Sequence, residues 1–389
     1  MVRLAVYTDY TYQRQDGEVY GDRAFAIFLA RLADRVDELM ILGRVDPISA
    51  RARYPLGPVE FVELPYYATL SEPLSVIRAM PVAFRRFWKA LDHVDCIWVM
   101  GPHPIAIPVA LLGAMRRKRV VLGVRQNLPA FISNRHPRRR VLRAAALLME
   151  AAFRAMSRFL PVVAVGPEIA AHYGRASAVL EITVSLITKA DLVAPEVAAR
   201  RPYDGTLRLL SVGRLDPEKN PVLLADVLAR LREGGADWRL EICGEGPMSG
   251  ALERRLHELG IAEHVELRGY VPLRPDLLDR YRHSHALLHI SLTEGLPQVL
   301  VEAAASGLPI IATDVGGVGE ALGDAAVLIP PNDPDGAAAA VAAVARDPDR
   351  RRALVEAGHA FASEHLLDRE VHRVASFIAD PASARAQGR

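Results

Sequence analysis

Short apolar runs alternate with longer stretches of mixed character along most of this chain. The runs at Leu4–Thr8, Glu60–Leu64, Cys96–Met100, Val120–Val124 and Val162–Val165 read as strands, with helical stretches at Arg23–Asp34, Ser75–Leu91 and Arg138–Phe159 between them. The second half repeats the rhythm. Strands are expected at Leu207–Val212, Arg239–Cys243, Val265–Arg268, Ala286–Ile290, Pro309–Ala312 and Ala325–Ile329, and helices at Pro221–Arg232, Met248–Leu259, Gln298–Ser306 and Pro334–Ala345. Strands that are apolar throughout rather than alternating are buried on both faces, which is the signature of a parallel sheet covered by helices. Two such series predict two doubly wound α/β domains, residues 1–187 and 206–365, joined through the charged and irregular stretch Thr188–Thr206. Two closing helices, Arg350–Glu364 and Asp368–Ile378, follow; residues 366–389 are expected to be a C-terminal helix and frayed tail packing back towards the first domain. In open parallel sheets ligands bind beyond the carboxyl ends of the strands, so the chemistry is sought in the loops there.

Three such loops in the second half carry candidate chemistry. Ser211–Asn220 (SVGRLDPEKN) places Gly213, Arg214 and Lys219 after a strand, a turn followed by two cations able to hold a diphosphate. Cys243–Pro247 (CGEGP) places Gly244 and Gly246 after the next strand, which suits either a close ligand approach or a tight strand-to-helix turn. Thr293–Glu302 (TEGLPQVLVE) brings Glu294, Gly295, Leu296 and Pro297 to the start of a helix, with Pro297 expected at its first position and backbone amides free to hold a phosphate. Glu302 lies a further turn and a half along, about 7–8 Å from the helix start, within reach of a ribose beside that phosphate. Its neighbours are almost wholly apolar, so its carboxylate requires a partner.

The succession SVGRLDPEKN, CGEGP, RGYVP and HISLTEGLPQVLVEAAASGLPIIATDVGG resembles the retaining glycosyltransferases of family 4, collinearly over residues 205–330 and more weakly over 1–185. The resemblance implies the GT-B fold, two Rossmann-like domains facing across a cleft, and sugar transfer from a nucleotide diphosphate sugar, a UDP- or GDP-sugar. Arg214 and Lys219 would neutralise the departing diphosphate, Glu294 would hold sugar hydroxyls and Glu302 the ribose. Gly295, Leu296 and Pro297 would line the sugar and phosphate site, Tyr270 would sit near the nucleobase, and Gly316-Gly317 would approach the donor. Two side-chain cations can take the charge of the leaving group, so neither a metal nor an Asp-x-Asp metal motif is expected. In the first half the family's glycine pair and strand-ending histidine are replaced. Gly17, Gly21, His103, Arg125 and Gln126 are the acceptor-side candidates. The alternatives on the same residues are a nucleotide-sugar epimerase or phosphorylase and a non-catalytic binding subunit. A dehydrogenase is disfavoured because no Gly-x-Gly-x-x-Gly follows the first strand.

Charge and cysteine usage narrow the partners. Residues 1–200 hold 27 Lys and Arg against 18 Asp and Glu, and Arg78–Arg158 holds 16 against 3, beside apolar and aromatic residues. That stretch is expected to rest on an anionic membrane surface, on which a lipid-linked sugar acceptor would be presented; the competing expectation is a solvated basic face, and no nucleic-acid module is recognisable. Cys96 and Cys243 lie in strand-like runs and are expected as buried thiols. The N-terminus lacks signal-peptide character and no apolar run is long enough to span a bilayer, which predicts a cytoplasmic protein, peripheral at the inner membrane face.

Overall fold

The computed structural model describes residues 2–47, 53–68, 73–135 and 138–382. The expected tail beyond residue 382 lies outside the described residues. The chain divides into two compact units. The first comprises residues 1–129, 141–186 and 367–389, and the second residues 130–140 and 187–366. Residues 130–140 therefore group with the second unit, not with the first as the sequence predicts; Arg135, whose guanidinium reaches Glu218 at 3.4 Å, shows why.

In the first unit the strands are β1 (Arg3–Gln15), β2 (Glu18–Gly21), β3 (Glu38–Val45), β4 (Tyr54–Pro55), β5 (Glu60–Leu64), β6 (Cys96–Gly101), β7 (Arg119–Val124), β8 (Val162–Val165) and β9 (Val179–Ile182). A parallel sheet runs β5-β3-β1-β6-β7-β8-β9, and the long end of β1 turns into an antiparallel hairpin with β2, to which β4 adds. The pairing of β1 with β3 slips between Tyr7 and Thr11, which lifts Asp9 and Tyr10 out of the ladder. One sheet face packs against helices Phe25–Ala33 and Leu367–Ala379, and the other against Pro73–Ala90, Ala106–Met115 and Arg140–Ser157. The last helix before the tail is fixed to the first unit by Val371, Val374 and Phe377 in its core and by an Arg31–Asp368 ion pair at 2.6 Å.

The second unit carries β10 (Leu207–Val212), β11 (Trp238–Cys243), β12 (Val265–Gly269), β13 (Ala286–His289), β14 (Ile310–Thr313) and β15 (Ala326–Ile329). All pair in parallel in the order β12-β11-β10-β13-β14-β15. The chain thus starts in the middle of the sheet, builds outward to one edge and then returns to build the other. The order reverses between β10 and β13, the crevice where doubly wound sheets bind ligands. The loops after those two strands contain Gly213–Lys219 and Ser291–Pro297. Both cysteines are buried and free, and burial pushes each thiol up to about 12, so they behave as core residues.

Candidate functional site

The loop after β10 turns at Gly213, whose φ of 156° is a backbone state that side chains rarely adopt, and a Cβ there would meet nothing within 4 Å. The glycines of the next loop have a different cause. A Cβ on Gly244 would stand 1.8 Å from the carbonyl oxygen of Gly213, and one on Gly246 2.4 Å from that of Leu215. Gly244 and Gly246 let two backbones pass. Gly244→Ala is expected to cost more than about 3 kcal/mol of stability, since neither strand end can yield a steric overlap of that size; denaturant unfolding measures it, and a loss below 1 kcal/mol would contradict this packing.

Lys219 ends a short turn, Pro217–Lys219, and its ammonium is ion-paired with Glu294. The same carboxylate oxygen lies 2.9 Å from His289 Nε2 at the end of β13, and Ser291 Oγ reaches that nitrogen at 3.1 Å. Thr313 holds the Ser291 carbonyl from β14 at 2.7 Å. Burial alone would raise the Glu294 pKa, but the Lys219 charge and the His289 hydrogen bond outweigh it and hold the carboxyl well below the usual range. Glu294 is therefore an ionised acceptor inside the unit, although its side chain is only 10% exposed.

Arg214 is not a free cation. It is paired with Asp216 and lies 3.3 Å from Glu218 Oε1, while Arg135 approaches the same two carboxylates at 3.9 and 3.4 Å. Asp216 and Glu218 are buried, and half of the Arg214 side chain remains in solvent. Two arginines thus share two buried carboxylates, so Arg214 can turn to an anionic ligand while Arg135 keeps the acidic pair neutralised.

The helix after Glu294 is Gln298–Ala305; Pro297 is its N-cap, one residue earlier than expected, because its ψ of 133° is extended. No side chain caps this end, which leaves its amides for a ligand. Leu296 is buried and anchors the loop, with Gly295 partly exposed beside it. The partner that Glu302 requires is Tyr281, whose hydroxyl donates to Glu302 Oε2 at 2.9 Å from the helix Leu278–His283. Burial raises the Glu302 pKa to about 7, opposed by the Tyr281 hydrogen bond and the more distant Arg274 charge. Tyr270 follows the left-handed Gly269, and its N–H donates to Glu245 Oε1 at 3.3 Å. Gly316 turns at φ 57° and Gly317 caps the Val318–Leu322 helix.

In the first unit Gly17 forms the hairpin turn with Asp16, both at positive φ, and Gly21 gives room to Ala26, 2.8 Å from where its Cβ would be. His103 Nε2 lies 2.9 Å from Asp9, which also holds Arg44 and the hydroxyl of Tyr67. Arg125 lies over the rings of Phe25 and Tyr10, and Gln126 is exposed. Asp9, Arg44, Tyr67, Arg135, Tyr281 and His289 are functional candidates that the sequence reading did not single out. His289 alone had a local signal, a histidine closing an apolar strand five residues before Glu294.

Among the described residues no group of three or more His, Cys, Asp or Glu is placed to hold a metal ion. The Asp-x-Asp spacing, expected to be absent, occurs twice, as Asp333-Pro-Asp335 and Asp347-Pro-Asp349. Each opens a helix, with Asp333 and Asp347 accepting from the amides of Gly336 and Arg350 at 2.8 and 2.9 Å.

Residues 196–361 match the family model described as "Glycosyl transferases group 1". The chain is 35% identical over 153 residues to the glycogen synthase of Mycobacterium tuberculosis strain H37Rv, covering 39% of this chain and 37% of that protein. It is 35% identical over 176 residues to the D-inositol 3-phosphate glycosyltransferase of Thermobispora bispora, 41% of each. The matched part thus spans about two fifths of the length of these curated relatives. The fold covers far more. A sucrose-phosphate synthase from Thermosynechococcus elongatus aligns over 98% of this chain and 99% of its own with a TM-score of 0.75 at 16% identity. The Anabaena HepE structure in complex with UDP aligns over 98% and 100% with a TM-score of 0.71 at 17% identity. The chain has the two-domain α/β architecture of the GT-B glycosyltransferases.

Proposed function

We propose that this protein is a retaining glycosyltransferase that moves a sugar from a nucleotide diphosphate sugar, a UDP- or GDP-sugar, to an acceptor. The observation that carries the reading is the Lys219–Glu294–His289 cluster, an ionised carboxylate buried beside a cation immediately before an uncapped helix N-terminus. The match of residues 196–361 to group 1 glycosyl transferases supports it, as do fold neighbours whose structures hold UDP and UDP-glucose.

The leaving nucleoside diphosphate gains negative charge as the bond to the sugar breaks. Lys219, Arg214 and the amides at Gln298–Val299 would meet that charge where it grows, so their effect is larger in the transition state than on the bound donor. Glu294, kept ionised, would accept from sugar hydroxyls, and Glu302 would accept from the ribose. His289 and Ser291 fix the orientation of Glu294. No metal is assigned to this step. Incubation of the protein with a donor and its acceptor, followed by NMR of the anomeric coupling in the product, tests the reading. The expected product keeps the donor's anomeric configuration and forms at the same rate in EDTA; an inverted product, a free epimerised sugar or abolition by EDTA would overturn it.

The acceptor side is proposed to work at the inner face of an anionic membrane, on a sugar or lipid-linked acceptor. Among the described residues no helix is long and apolar enough to cross a membrane. Among the described residues eleven of the fourteen exposed large apolar side chains lie between Leu74 and Phe159, including Leu74, Ile77, Trp88, Val141, Leu147 and Leu148. The helices that carry them, Phe159 apart, cover the same face of the first sheet and also bear Arg78, Arg85, Arg86, Lys89, Arg140, Arg143 and Arg154. Such a surface combines apolar insertion with attraction to anionic headgroups. The protein is expected to sediment with phosphatidylglycerol vesicles and to be released as salt rises, and Leu147→Ser/Leu148→Ser to weaken binding about tenfold or more. Equal binding to neutral and anionic vesicles at low salt would contradict this surface.

A further inference from the structure

Arg125 directly follows β7, at the carboxyl end of a strand in the middle of the first sheet. Its guanidinium carbon stands 4.6 Å from the Phe25 ring centroid and 5.1 Å from that of Tyr10. Phe25 is the first residue of the nine-residue helix Phe25–Ala33, whose N-cap, Ala24, offers no side-chain hydrogen bond. Arg23 lies over the same Tyr10 ring at 5.4 Å. Two cations against one aromatic ring and an uncapped helix start therefore meet at one place.

Among the described residues no carboxylate answers this charge. Among the described residues Arg125 makes no ion pair, and its Nη1 is out of water with no hydrogen-bond acceptor. Burial lowers its pKa to about 10, with no acidic neighbour to raise it again. Asp22, the acidic residue beside Arg23, receives the Thr11 hydroxyl at 3.4 Å and lies 3.9 Å from Arg23, and is not engaged by Arg125. The contrast within the same unit is Arg44, which is buried more deeply than the partly buried Arg125 but bonded to Asp9 and to the Tyr67 carbonyl. Stacking on rings supports a guanidinium but satisfies none of its N–H donors, and a buried cation without an acceptor is unfavourable. A missing oxyanion removes the inconsistency, and the fork of an arginine matches a carboxylate or a phosphate.

We propose that Arg125, seated on Tyr10 and Phe25 with Arg23 alongside, binds the oxyanion of a small anionic ligand of the first unit, a phosphate monoester or a carboxylate. That the ligand is a sugar rests on the transferase reading; the anion site does not. The full-length protein is titrated calorimetrically with inorganic phosphate, glucose 6-phosphate, glucuronate and glucose, as wild type and as Arg125→Gln, with UDP titrated into the same samples. At least one of the three anions is expected to bind ten or more times tighter than glucose, and Arg125→Gln to weaken it about 10–100-fold while leaving UDP unchanged. Tighter binding of glucose 6-phosphate or of phosphate assigns a monoester, and tighter binding of glucuronate a carboxylate; either supports the site. Because the variant removes an unpaired buried charge, its unliganded melting temperature is expected not to fall, and the rise that the anion causes in wild type is expected to vanish. If no anion exceeds glucose in UDP-binding protein, or if Arg125→Gln binds the anion unchanged, the proposal fails. Anion binding without UDP binding would instead remove the transferase reading and leave the anion site standing.

Discussion

Lys219→Ala is expected to lower sugar transfer about 10²–10³-fold, the usual cost of removing one preorganised charge from a site where negative charge develops. The same change is expected to destabilise the protein by about 3 kcal/mol at neutral pH, because it leaves Glu294 buried with only His289 beside it. The two effects have separate origins and can be separated. In wild type Glu294 is held below its ordinary pKa, so its contribution is complete above the unfolded value of about 4.5 and lost as pH falls below it. Without Lys219 the burial that favours the protonated acid is opposed only by His289, and the carboxyl shifts upward. The stability gap between wild type and Lys219→Ala should therefore shrink from pH 7.5 towards pH 4.5. Denaturant unfolding across that range measures the gap. Lys219→Ala/Glu294→Gln is expected to recover most of the stability and none of the activity. A gap independent of pH would mean that the pair is not what keeps Glu294 ionised.

Glu302→Gln should move stability the other way. Glu302 has its pKa raised to about 7 from an ordinary 4.5, chiefly by burial. The folded protein thus holds a proton there that the unfolded chain has released between about pH 4.5 and 7. Stability falls as pH rises through that window, by about 3 kcal/mol in all. Glutamine keeps an acceptor for the Tyr281 hydroxyl and never ionises. The variant is expected to match wild type near pH 4.5 and to exceed it by about 3 kcal/mol at pH 8. Nucleotide binding should show the complementary cost. If the carboxylate accepts from ribose hydroxyls, affinity for the nucleotide rises with pH through about 7 in wild type and is flat and weaker in Glu302→Gln. Tyr281→Phe removes the hydrogen bond that lowers the Glu302 pKa and should shift the midpoint of that rise upward. Identical pH profiles for wild type and Glu302→Gln would separate Glu302 from the ribose.

The architecture was legible because buried parallel strands are written as unbroken apolar runs. Leu207–Val212, Ala286–His289 and Ala326–Ile329 stand within a residue of the predicted bounds. The strand Glu38–Val45 was not among those predicted, since an apolar run of that length beside a helix reads equally as the helix's continuation. Local chemistry was legible where backbone and side chain act within one loop, as at Glu294–Pro297. The offset of Pro297 by one residue reflects that proline suits both the cap and the first turn. The sequence states that Glu302 needs a partner but not which one, because Tyr281 arrives from another helix 21 residues away. The same limit hid the entry of Arg135 into the Arg214 cluster and the seating of Arg125 on two rings, whereas the engagement of Arg214 by Asp216 and Glu218 lies within one loop and depends on side-chain rotamers that the residue order does not fix. Gly244 and Gly246 were found as glycines, but their reason, the backbone of the loop after β10, is visible only in three dimensions.

The most direct test of the donor site is calorimetric titration of UDP, GDP, ADP and TDP and their common sugar conjugates into wild type and into Arg214→Ala/Lys219→Ala. One nucleotide is expected to bind in the micromolar range, tighter as its sugar conjugate or at higher pH, and to lose at least a hundredfold in the double variant. Folded wild-type protein that binds none of them, or a double variant that binds as wild type does, would contradict the assignment of Lys219, Glu294 and the Gln298–Ala305 helix to a nucleotide sugar.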